Sequence, residues 1–109
     1  MFTEPSKSDW KKFMNILPEL RERYLKNKNK QISEMFLNEK QTATETFWNT
    51  KEVIEKEAKM LQDCLDSFSK AQMKERIIMM FRYGLFHKQD IKIFSQELQK
   101  EFIDFIKIT

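Results

Sequence analysis

Glycine is nearly missing from this 109-residue chain, which holds only Gly84, where average usage would supply roughly seven or eight. Phosphate-cradling loops, dinucleotide fingerprints and tight two-residue hairpins all need glycine, because the backbone there takes positive φ or closely approaches the ligand. Those function classes are excluded. Cysteine and histidine are equally scarce, with one residue each, Cys64 and His87. An intramolecular disulfide needs two cysteines, and a structural zinc site takes about four Cys/His ligands, so neither is expected. Long apolar runs are also lacking: the longest is Ile77 to Phe81. A membrane-spanning helix needs about 20 apolar residues. The N-terminal MFTEPSKSDWKK contains no stretch fit for a signal peptide. A cytoplasmic protein that spans no membrane is the expectation.

Apolar and charged residues are abundant. Forty per cent of the chain is apolar, with ten Phe, seven Met and two Trp, and 34% is charged. At this length one domain can bury a core without covalent staples. The net charge of +3 is a small excess for a nucleic-acid-binding surface, although the isoelectric point is about 9.0. Its distribution is uneven. Residues 1–40 hold nine basic and six acidic groups, 41–68 three and six, 69–92 six and two, and 93–109 two and three. Acidic and basic helices lying side by side would partly neutralise one another.

The spacing of apolar residues predicts helices throughout. Residues 1–7 read as a loose lead-in, and Ser8 or Asp9 offers a cap to a short first helix with Trp10, Phe13, Met14 and Leu17 on its core face. Pro18, which has no N–H, is expected to break that helix and start a second, running to about Leu37. Inside the second helix lies Lys26 to Gln31, KNKNKQ, nearly two turns with no apolar side chain. A loop follows at Asn38 to Gln41. Thr42 with Glu45 has the capping-box spacing, and Phe47, Ile54, Leu61 and Phe68 recur every seven residues behind it as an apolar stripe. Ser69 with Gln72 repeats the capping signal before a fourth helix that ends at Gly84. The five apolar residues at its centre cover its whole circumference, which makes it central. Leu85 and Phe86 tuck under the core from a short turn. A fifth helix opens near Lys88 or Asp90 and carries Ile91, Phe94, Leu98, Phe102 and Phe105, with a kink at Ser95. The predicted fold is therefore all-α: a single-domain bundle of four to five helices, residues 8–109, around a central apolar helix at 70–83.

Chemistry-bearing groups are sparse. Cys64 lies among Met60, Leu61, Leu65 and Phe68, where a cysteine acts as a small hydrophobe, and His87 sits in a turn with no acid or metal motif beside it. No catalytic, cofactor-binding or metal-binding residue is assigned, and no small-molecule substrate is expected. The order helix, Gly84, turn, helix matches a helix-turn-helix only loosely. Met80 is bulky where that motif needs a small residue, and Asp90 stands where it needs an apolar one.

Trp10 and Phe13, PELRERYL at 18–25, FW at 47 and 48, EAKMLQDCLD at 57–66 and DIKIFSQEL at 90–98 together give a chain that resembles a group of small helical bacterial proteins with no assigned activity. The resemblance implies no enzymatic role and supplies no functional residues. By exclusion the expected function is a non-enzymatic module that binds another protein or a second copy of itself. Trp48, Phe102, Phe105 and Ile106 are its candidate anchors, and Arg21, Arg23, Lys26, Lys28 and Lys30 its candidate rim. The same basic stretch carries the alternative, an accessory protein that binds nucleic acid.

Overall fold

Ser6 starts the first helix by accepting a hydrogen bond from the Asp9 N–H at 3.1 Å, two residues before Ser8 and three before Asp9, the caps expected from sequence. In the computed structural model, which describes residues 3–66 and 68–108, helix α1 then runs unbroken over Lys7–Phe36. Met1, Phe2, Ser67 and Thr109 lie outside the described residues, as does the side chain of Ile108. Thirty residues at 1.5 Å per residue make α1 about 45 Å long, and the molecule measures 52 × 27 × 23 Å. Its radius of gyration, 16.8 Å, exceeds the roughly 13 Å of a compact domain of this length. The chain is elongated.

Pro18 does not divide α1, contrary to expectation. A proline inside a helix frees the carbonyl four residues back, here that of Met14. Pro18 and Met14 both lie on the exposed side, so water can reach that carbonyl. Phe13, Leu17 and Leu20, about a third of a turn round the helix, are buried, and they hold both halves of the helix to the core. Met14, expected in the core, is therefore outside it.

Helix α2 spans Ala43–Leu65 behind the capping box, with the Glu45 N–H on Thr42 Oγ1 at 3.1 Å and the Thr42 N–H on Glu45 Oε1 at 3.2 Å. A 3₁₀ turn at Lys70–Gln72 leads into α3, Met73–Tyr83, and the Gln72 side chain accepts from the Ser69 N–H at 3.0 Å. At the end of α3, Gly84 takes φ 87°, and the Leu85 N–H reaches the Met80 carbonyl at 2.8 Å in a Schellman arrangement. The expected fifth helix is two elements. A 3₁₀ segment covers Lys88–Ile93, and α4 covers Gln96–Ile108. The reason is Ser95. Its Oγ accepts from the Leu98 N–H at 3.2 Å and opens α4 as a cap, which breaks the chain where a kink was expected.

The core lies at one end. It gathers Phe13, Leu17 and Leu20 from α1, Cys64 from α2, Met73, Ile77, Ile78 and Met80 from α3, then Leu85, Phe86, Ile91, Phe94, Leu98 and Phe102. Aromatic rings tie it together: Phe102 meets Phe81 at 5.4 Å and Phe86 at 5.5 Å, and Phe68 meets Phe13 at 5.7 Å. Residues 3–6 are anchored to it. Pro5 is buried, and the Thr3 hydroxyl accepts from Lys74 Nζ at 2.9 Å. Past this end the rest of α1 and α2 projects as a pair.

Candidate interaction surface

Three side chains clamp α1 to α2 at the base of the projection. The Tyr24 hydroxyl donates to Glu57 Oε2 at 2.5 Å, and Lys28 Nζ lies 3.3 Å from Glu57 Oε1 while sitting 5.6 Å above the Tyr24 ring. Burial, followed by the bond to Glu57, pushes the Tyr24 phenol well above its ordinary pKa. Residue 24 opposite residue 57, with the connecting loop midway between them, defines an antiparallel hairpin. The KNKNKQ tract therefore stays helical because one of its lysines faces the partner helix while Lys26, Asn27, Asn29 and Lys30 face solvent.

Above the clamp, α2 turns an unexpected side toward α1. Glu57 contacts α1, Thr50 is buried, and Thr46 and Val53 are half-buried, so the row 46, 50, 53, 57 forms the contact. The stripe Phe47, Ile54, Leu61 lies about a quarter-turn away at 100° per residue. Its upper members are consequently in water. Phe36, Leu37, Phe47, Trp48 and Ile54 keep between 47% and 77% of their surface exposed. Phe36 and Phe47 line one shallow depression with Ala43 and Thr46, and the Phe47 and Trp48 rings meet edge to face at 5.2 Å. On α1 the half-buried Leu25 and Ile32 fall on the same side as Phe36 by helical spacing, so this side of the hairpin is apolar across both helices. The sequence reading missed Phe36, Leu37, Phe47 and Ile54 as surface residues. The available signal was the polar tract itself, which separates Phe36 from the core-facing residues of α1.

The residues expected to form the site are dispersed. Trp48 is exposed on the hairpin. Phe102 is 2% exposed and belongs to the core, which removes it from the anchors. Phe105 and Ile106 are half-buried against that core, with the Arg82 guanidinium 5.9 Å from the Phe105 ring. The basic stretch is divided. Arg23 donates to Asp90 Oδ1 and Oδ2 at 3.0 and 2.7 Å and to the Leu85 carbonyl at 3.1 Å, so it joins α1 to the chain after Gly84. Lys28 belongs to the clamp. Arg21 lies 4.0 Å from Glu22, and no ion pair involves Lys26 or Lys30 among the described residues. Lys26 and Lys30 share the outer face of α1 with Glu19, Glu22 and Glu34. Mixed signs on that face give a weaker field than the bare run of five cations suggests.

The polar groups near the core are engaged in structure. Lys74 is buried, and its Nζ lies 2.9 and 3.1 Å from the two carboxylate oxygens of Glu101. Cys64 is fully buried, and that burial pushes its thiol up, away from the thiolate that nucleophilic chemistry needs. Among the described residues no three Asp, Glu, His or Cys side chains converge to hold a metal ion. No helix among them is long and apolar enough to cross a membrane. No family model matches the chain, and no curated protein or solved structure is similar to it.

Proposed function

We propose that this protein is a non-enzymatic interaction module that docks another protein chain on the apolar side of its α1–α2 hairpin, with the α3–α4 end acting as the scaffold that holds the hairpin out. One observation carries the reading. Phe36, Leu37, Phe47, Trp48 and Ile54 are all exposed on one projecting element, while the core aromatics Phe13, Phe86, Phe94 and Phe102 are buried at the other end. An exposed group of large apolar side chains rimmed by charge is the usual mark of a protein-binding surface. The exposed aromatics also suit it, because Trp and Phe bury much area with few rotatable bonds.

Site-specific photocrosslinking in the cells that make the protein tests this. A benzoylphenylalanine placed at Phe47 should capture a protein in a discrete adduct, whereas the same group at Lys26, on the outer face of α1, should not. Adducts at neither position, or equally at both, would overturn the proposal.

A further inference from the structure

Resting on that reading, we infer that the chain covering the hairpin is a second copy of this protein, joined about a two-fold axis that runs along the hairpin, so that two hairpins close into a four-helix bundle with both loops at the same end.

The first argument is area. On this side Phe36, Phe47 and Ile54 are each about half exposed or more, and with about 150–250 Å² for a large apolar side chain they put on the order of 300 Å² of apolar surface there, before the half-buried Leu25 and Ile32 are added. A standard interface buries about 800 Å² per partner, of which about 65% is apolar in homodimers. With Leu25 and Ile32 this side supplies more than half of the apolar area that one partner of such an interface requires. The patch also runs down the side of the hairpin from Phe36 and Phe47 to Ile54, two helical turns beyond Phe47, with half-buried Leu25 and Ile32 beside it. A two-helix layer with one open apolar side lacks the second layer that helical folds use to bury such a side.

The second argument is charge. A two-fold interface uses the same patch twice and must complement itself. In the projecting hairpin, residues 21–36 of α1 carry five basic and two acidic residues, and residues 43–57 of α2 carry two basic and four acidic. A two-fold axis along the hairpin places α1 over the partner's α2, so basic and acidic helices alternate around the bundle and every neighbouring pair runs antiparallel. An axis across the hairpin would instead stack α1 on α1, basic on basic. Sign alternation therefore selects the first arrangement and sets both loops side by side.

Three measurements test this. Light scattering coupled to gel filtration, from low to high micromolar, should give a mass near twice 13.3 kDa. Phe47→Glu combined with Ile54→Glu should weaken the dimer about a hundredfold or more, with the helical circular dichroism unchanged because both side chains are exposed in the single chain. Asn38→Cys at the loop should be joined to its counterpart by a short bismaleimide, since the buried Cys64 does not compete. A monomer at every concentration overturns the second copy, and the interaction reading then stands or falls on whether Phe47 crosslinks to a different protein. A dimer that resists the double substitution overturns the surface. A dimer in which residue 38 fails to crosslink overturns the axis.

Discussion

Asp9 accepts both polar hydrogens of Ser95, the backbone N–H at 2.9 Å and the hydroxyl at 2.6 Å, from 86 residues away. Ser95 in turn caps α4, so the first turn of α1 fixes where the last helix begins. Asp9 is buried, and removing its carboxylate strands two donors in a place water scarcely reaches. Asp9→Ala should destabilise the fold by about 3 kcal/mol, the worth of one or two hydrogen bonds to a charged acceptor. Urea unfolding reads this directly. A loss under about 1 kcal/mol would mean that α4 starts without help from α1.

Phe102 and Phe47 are the same residue type in opposite settings. Phe102 packs between Phe81 and Phe86, and its truncation to Ala should cost about 3–5 kcal/mol. Phe47 is 58% exposed, and Phe47→Ser should change the stability of the single chain by less than about 0.5 kcal/mol. Denaturation of both variants at low protein concentration separates a core position from a surface one. Equal losses would contradict the burial pattern.

Pro18→Ala should stabilise the protein. The replacement restores a hydrogen bond to the Met14 carbonyl and removes a helix penalty of about 3 kcal/mol, less about 1 kcal/mol for a looser unfolded chain. A rise of about 2 kcal/mol is the expected result. No change would indicate that α1 divides at Pro18 in solution.

Arg23 and Asp90 make stability depend on pH in a stated direction. Burial raises the Asp90 carboxyl, but hydrogen bonds from the Arg23 guanidinium and the His87 N–H outweigh it and hold the group below its ordinary value. A carboxylate depressed in the folded state contributes stability above its unfolded pKa of about 3.9, and loses it as pH falls through the lower folded value. Asp90→Asn should therefore be less stable than the parent at pH 7, and the gap should narrow below about pH 4. Parallel thermal melts from pH 7 to pH 2.5 would show it, and a constant gap would remove Asp90 from the acid response.

Much of the secondary structure was legible because its signals are local. The Thr42–Glu45 box, Gly84 after α3, and the buried Leu85 and Phe86 all follow from spacing within a few residues. What could not be read depends on partners far along the chain. Pro18 reads as a break until Phe13, Leu17 and Leu20 are seen buried on the neighbouring face of the same helix. The seven-residue stripe of α2 reads as core because periodicity reports that a face is apolar without reporting what it meets. The face of α2 that meets α1, through Thr50 and Glu57, leaves Phe47 and Ile54 outside. The five cations between Arg21 and Lys30 look like one patch until Asp90 and Glu57 claim two of them.

The hairpin also bears on how the chain folds. Leu20 and Cys64 sit in the same core, yet everything from 21 to 63 lies between them in sequence. Closing a flexible loop of that length costs about 3 kcal/mol in chain entropy. Two antiparallel helices joined by a short turn form largely through local contacts, and once formed they return residue 64 beside residue 20. The projecting element thus shortens the effective contact order of the core it extends from, and helix pairing there is expected to precede, and to speed, the assembly of the core.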